Sequence, residues 1–177
     1  MQPATTLGPT LETDRLILRP IDMDADFQGF AETFGDPDTM RYLGGQAKTP
    51  AQTWRSMATF LGHHLVRGYS FMSVIEKASG AWVGEVGPWY PEGWPGREVG
   101  WTLHPDHRGK GYAREAGRAA IDYARDGLGW ASVIHIIEEG NTGSERVAEA
   151  LGSTRQDTLT HISGIGDGVF NIYGQSF

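Results

Sequence analysis

At 177 residues the chain is long enough for one domain with a substantial core and too short for two; 39% hydrophobic and 21% charged residues, with 6 Trp, 7 Phe and 6 Tyr, exclude a disordered chain. A formal net charge of −7 opposes polyanionic partners such as nucleic acid and favours a cationic acceptor. The lack of cysteine excludes disulfides, thiolate metal sites and any cysteinyl intermediate. No apolar run reaches the length of a membrane helix, and the start MQPATTLGPTLETD lacks the charged and apolar regions of a signal peptide, so a cytoplasmic protein without a membrane partner is expected.

The whole span 1–177 reads as one domain in which residues 1–12, rich in Pro and Thr without periodicity, form a loose lead-in. Arg15 to Ile21 alternates as a strand that Pro20 ends near an edge. Asp22 or Asp24 is placed to cap the next helix, whose apolar stripe is Phe27, Phe30, Ala31 and Phe34. Gly35-Asp36-Pro37 breaks it, and a short helical piece through Met40 and Leu43 follows. Thr49-Pro50 then starts a longer helix, with Trp54, Met57, Ala58, Leu61 and Leu65 expected to face inward. Tyr69 to Glu76 and Ala81 to Tyr90 read as strands joined at Lys77-Ala-Ser-Gly80. Trp89, Tyr90 and Trp94 cluster beside a turn-rich link; this pattern fits either a ligand-lined surface or the closed end of a core.

From Glu98 to Asp126 the order is strand, glycine turn, helix. Val99, Trp101 and Leu103 alternate with Gly100 and Thr102, Pro105 ends the strand, and Ala113, Ala116, Ala120 and Ala124 recur at helical spacing. Helix-start amides lack internal partners and carry partial positive charge, which makes the junction a ready anion site. Gly109 and Gly111 allow close approach of the main chain, and Arg108 and Lys110 supply cations, so Arg108 to Ala113 reads as a pyrophosphate cradle. A dinucleotide fingerprint is rejected because its third glycine position is Arg114, and no nucleoside-triphosphate loop occurs. The plain alternative is a glycine turn that merely connects strand and helix.

Gly127 and Gly129 end the helix. Ser132 to Glu138 is a β-prone run expected to be a central strand. Thr142 with Glu145 resembles a capping box, and Val147, Ala148 and Leu151 form the buried side of that helix. Ser153 to Phe177 alternates around glycines and fits a final pair of strands. His104 and His107 flank Asp106 in a turn, without the spacing of a zinc motif, so no metal is expected.

The run Arg108-x-x-Gly111-x-Ala113 after a strand resembles the acetyl-CoA signature of the GNAT superfamily of N-acetyltransferases. Glu98-Val-Gly-Trp lies upstream, and Asn141-Thr-Gly-Ser144 opens a helix downstream. The span from Gly80 to Leu151 is similar to the branch holding ribosomal-protein N-terminal acetyltransferases and small-molecule relatives. The resemblance implies an α/β (α+β) three-layer fold: a mixed, mostly antiparallel sheet of about six or seven strands flanked by helices, with a splayed pair of central strands holding the cofactor. It implies acetyl-CoA as co-substrate, direct acetyl transfer to a primary amine on a protein N-terminus or a small molecule, and an acceptor site lined by Phe34 to Gly45. Leu103, Arg108, Gly109, Lys110, Gly111, Tyr112, Ala113 and Asn141 are the implied cofactor contacts, with backbone N–H groups near Leu103 as oxyanion donors.

Three demands follow for such a reaction: a base for the amine, donors for the carbonyl oxygen and relief for the leaving thiolate. Glu98 is the first candidate base and equally suits a plain pairing with Arg97 or a cap of the strand; Glu85 is the second, and His104 the third, its place beside the glycine turn fitting a structural hydrogen bond at least as well. In relatives the thiolate's partner is a tyrosine or a serine; no Tyr lies between Asp126 and Ile172, which leaves Ser144. Asn141 and Ser144 also suit any helix start. Two positions depart from the family: Gly143 precedes the serine, and Ser153 stands where relatives carry an aromatic. A non-catalytic acyl-CoA-binding module is the alternative, and a homodimer is left open.

Overall fold

The computed structural model describes residues 8–177 and contains one eight-stranded sheet with helices on both faces. In chain order the elements are β1 (Leu11–Glu12), β2 (Leu16–Arg19), α1 (Phe27–Gly35), α2 (Pro37–Met40), α3 (Pro50–Arg67), β3 (Met72–Glu76), β4 (Trp82–Trp89) and β5 (Glu98–Leu103). They continue with α4 (Tyr112–Asp122), β6 (Ser132–Glu138), α5 (Thr142–Ala150), β7 (Thr154–Ile162) and β8 (Gly166–Ser176). The strand order is β1-β2-β3-β4-β5-β6-β8-β7, with β5 and β6 parallel and the other neighbours antiparallel. The mixed sheet is as expected; the eighth strand is the two-residue β1. The expected lead-in is corrected at its end, because Leu11 and Glu12 pair with Leu18 and Ile17. Its first seven residues lie outside the described ones.

Period-two alternation separates the core into two layers. On one face Leu16, Leu18, Val74, Val83, Val86 and Val99 pack against Ala116, Ala120 and Ile121 of α4 and Ala124 of the turn that follows it. The alanine face brings α4 close to its neighbours: a Cβ on Gly117 would lie 2.9 Å from Leu151 of the segment ending α5. On the other face Ile21, Phe30, Phe34, Met40 and Met57 form a second cluster with Phe60, Phe71 and Trp82. Each fully buried apolar side chain here contributes about 1.5–3 kcal/mol of transfer free energy.

Three local expectations are corrected. Neither Asp22 nor Asp24 caps α1: Asp22 accepts the Asp24 and Ala25 N–H groups in the preceding turn, and Asp26 holds the cap position. Asp26 is itself committed to Arg19 and to the Ser73 hydroxyl. In α3, Trp54 and Leu65 are exposed (54% and 72%), while Thr53 and Met57 are buried. At 100° per residue the buried face centres on Thr53, Met57, Phe60 and His64, and Trp54 and Leu65 lie roughly 90–110° away from it. The helix α5 is capped by Asn141, whose side-chain oxygen accepts the Ser144 N–H at 3.3 Å, while Glu145 turns to Asn171. The capping box expected of Thr142 and Glu145 is therefore absent. Thr49 and Gln52 do form one at the start of α3. Among the described residues no helix is long and apolar enough to cross a membrane.

Candidate active site

The parallel strands β5 and β6 share only the pair Glu98↔Ile134, joined by the Ile134 N–H to Arg97 C=O bond at 2.9 Å, and then diverge. His104 N–H bonds Val83 C=O across the β4 side. By ladder alternation the peptide groups of Val99, Trp101 and Leu103 therefore face the opening. The cleft so formed has a volume of ≈ 380 Å³ and is lined by β5, β6, the first turn of α4 and the start of α5. Asp38, Thr39, Tyr42 and Leu43 line it from α2 and the turn after it. That is part of the Phe34 to Gly45 segment expected beside the acceptor.

At the cradle, Gly109 and Gly111 have φ of +74° and +80°, in the left-handed region, which an L side chain rarely adopts. A Cβ at Gly109 would meet nothing within 4 Å. Leu103, Arg108, Gly109, Ala113, Asn141 and Ser144 all line the cleft. Lys110, Gly111 and Tyr112 do not. Arg15 holds the Lys110 carbonyl at 3.0 Å, and the Tyr112 ring is buried under the Arg15 guanidinium with its hydroxyl donating to Glu76. What Tyr112 can offer an anion is its main-chain N–H. The Arg108 guanidinium turns to the Leu103 carbonyl (3.2 Å) and the Thr39 hydroxyl, so it ties α2 to the end of β5.

Glu98 sits where the strands part. One carboxylate oxygen accepts the Ile136 N–H at 3.1 Å and the other the Trp94 indole N–H at 2.7 Å. Burial pushes this carboxyl up to about 7, against the opposing pull of those two donors. Glu85, on β4, is buried beside Thr102; burial pushes it up to about 8, partly offset by Lys48 and Thr102. One Glu85 oxygen has no hydrogen-bond partner, and the residue does not line the cleft. His104 also lies outside it, with Nε2 3.2 Å from Glu32 and Nδ1 accepting the Asp106 N–H. Of the three candidate bases, only Glu98 borders the cleft. The aromatic cluster divides: Trp94 orients Glu98, whereas Trp89 stacks on His63 and Phe71.

His135 is a cleft residue that the sequence reading passed over, whereas Thr39 and Tyr42 fall within the expected Phe34 to Gly45 segment. For His135 a signal existed, because the alternation of SVIHIIE puts it in phase with Val133 and Ile137, and a polar residue in a buried phase needs partners.

Residues 15–154 match the family model described as "Acetyltransferase (GNAT) domain". The chain is 32% identical over 151 residues to the Bacillus subtilis (strain 168) protein YkkB, covering 84% of this chain and 87% of that one. The structure of an acetyltransferase from Agrobacterium tumefaciens str. C58 superposes with a TM-score of 0.82 at 30% identity, over 96% of this chain and 95% of the other. At 14% identity, RimL, a ribosomal L7/L12 alpha-N-protein acetyltransferase solved in complex with coenzyme A, shares the fold with a TM-score of 0.77, over 96% of this chain and 98% of its own. A splayed parallel pair, a glycine turn at a helix start and a family match spanning most of the residues agree: the chain belongs to the GNAT acetyltransferase family and is an acetyl-CoA-dependent acetyltransferase.

Proposed function

We propose that the chain transfers acetyl directly to a primary amine, with Glu98 as the base. The observation that carries this reading is a buried carboxyl, pushed up to about 7, at the point where β5 and β6 part. A base of that strength matches an α-amino group, which titrates near ~7.7–8, far better than a lysine near ~10.4. The acceptor is accordingly a protein N-terminus or a small amine of low basicity. Asp38 and Glu138 also line the cleft, which suits a cationic group arriving from solvent.

The residues present fit acetyl-CoA. Gly109 keeps the approach to the α4 amides clear of a side chain, the left-handed Gly111 turns the chain into the helix, which suits a diphosphate, and the open β5 edge suits an extended amide-bearing arm. Arg108, Lys110 and the main-chain N–H groups of Tyr112 and Ala113 would hold the diphosphate. Asn141 would use the amide nitrogen its cap bond leaves free. When bound, acetyl-CoA supplies the acetyl group as a thioester. Glu98 takes the proton that the acceptor ammonium gives up, the Trp101 and Leu103 N–H groups meet charge developing on a carbonyl oxygen, and the Ser144 hydroxyl meets a leaving thiolate.

Mass detection of acetylated product with a panel of amines tests the proposal. Glu98→Gln is expected to lower turnover by about 10²–10⁴-fold, and Ser144→Ala by less than about tenfold because a thiolate near neutral pH is cheap to release. Coenzyme A binding with no primary amine ever modified would overturn the amine as acceptor.

A further inference from the structure

The ladder between β5 and β6 is actively parted. Two residues beyond the Ile134 N–H to Arg97 C=O bond, the next rung of a parallel pair would join Ile136 N–H to Val99 C=O. Neither group makes that bond. Ile136 N–H donates to Glu98, and Val99 C=O is met at 2.6 Å by Nδ1 of His135. Glu98 reaches in from the sheet face it shares with Gly100 and Thr102, and His135 from the face of Val133 and Ile137, so two side chains split one rung from opposite sides.

The chemistry of the partners fixes the direction of each bond. A carbonyl can only accept, so Nδ1 carries the proton. The ring is 1% exposed, and burial keeps it neutral, so Nε2 is an acceptor and the Ser153 hydroxyl, at 2.9 Å, donates to it. Ser153 in turn accepts from the Gln175 amide at 2.9 Å, and the same amide reaches the Leu151 carbonyl at 3.2 Å. A one-way chain thus runs from β8 through the segment after α5 to the fork. The Trp101 ring lies 4.8 Å from the imidazole, and Trp101 is one of the residues whose peptide edge faces the opening.

We propose that His135 is a positioning residue: by taking the Val99 carbonyl out of the ladder it fixes where the fork opens, and with that the direction in which the Trp101 and Leu103 edge meets a thioester. This rests on the acetyl-transfer reading above. Loss of the imidazole leaves the Val99 carbonyl buried without a donor or free to recover Ile136 N–H, and either outcome shifts the edge.

The test combines coenzyme A calorimetry, turnover and imidazole ¹⁵N NMR. In the wild type the Nδ1–H tautomer is expected. His135→Leu is expected to lose roughly tenfold or more in coenzyme A affinity and in kcat, His135→Asn to recover to within about threefold because its amide can reach the same carbonyl, and Ser153→Ala to fall between them. A wild-type protein that ignores coenzyme A defeats the acetyl-transfer reading itself. With wild-type binding intact, a folded His135→Leu with full affinity and kcat overturns the role of His135, as does a His135→Asn no better than a defective His135→Leu. Should His135→Leu fail to fold, Ser153→Ala and the tautomer decide: an Nε2–H ring, or an unaltered Ser153→Ala, sinks the inference, and an Nδ1–H ring with reduced kcat upholds it.

Discussion

Trp94 donates its indole N–H to the Glu98 carboxylate at 2.7 Å, so a residue in the link before β5 orients the group at the fork. A donor to the charged form lowers a carboxyl's pKa, and burial here opposes it. Trp94→Phe removes the donor and keeps most of the ring. We expect the wild-type pH profile of kcat/KM to rise with an inflection near 7, and the variant's inflection to move upward. At neutral pH the variant should lose about threefold to tenfold in rate. An unmoved inflection would separate Glu98 from the titration that governs rate.

Thermal stability should fall as pH rises above neutrality. Burial holds Glu98 up to about 7 and Glu85 up to about 8, above the ~4.3 of an unfolded glutamate. Between those limits the folded protein binds more protons than the unfolded chain, and stability falls with rising pH. His135 acts oppositely: burial takes it down to about 4, so its contribution is complete above ~6.5 and is lost as pH falls toward 4. Above pH 6.5 the His135 contribution is complete, and the two carboxyls drive the decline. Glu85→Gln should flatten the decline by on the order of 2 kcal/mol between pH 6.5 and 8.5, read from denaturant melts at each pH.

The cradle glycines separate strain from ligand contact. A methyl at Gly109 meets nothing within 4 Å, so Gly109→Ala costs the fold only the left-handed backbone penalty of about 1–2 kcal/mol. Coenzyme A calorimetry on the folded variant is expected to show roughly tenfold or more weaker binding, because the added methyl and the shifted turn disturb the diphosphate site. Equal affinity in wild type and variant would count against the cradle.

Arg108 holds Thr39 and the Leu103 carbonyl, and the same guanidinium is a proposed diphosphate contact. Thr39→Val releases it from α2. We expect coenzyme A affinity to stay level or tighten by about threefold, with a raised KM for the acceptor as α2 loosens over the cleft. Weaker coenzyme A binding with an unchanged acceptor KM would contradict this coupling.

How much of this was legible follows from the range of each interaction. Strand alternation in RLILRPI and SVIHIIE, the alanine period of α4, and the break at Gly35-Asp36-Pro37 depend on neighbours within a few residues, and these elements formed as read. The caps differ from the sequence expectation for two reasons: Asp22 is taken by the Asp24 and Ala25 N–H groups of its own turn, and Glu145 by Asn171, which no local window contains. The inward face of α3 differs from the periodicity for a related reason, since which side of the helix meets Phe30 and Phe34 is a matter of packing.

By itself the sequence determined the order of elements and the glycine turn between β5 and α4, because both follow from local sterics and hydrogen bonding. The tertiary structure alone decided which carboxyl borders the cleft, that Arg108 reaches back to α2, and that His135 and Glu98 divide one rung between them. These relations join residues far apart in the chain, and only the assembled sheet brings them within bonding distance.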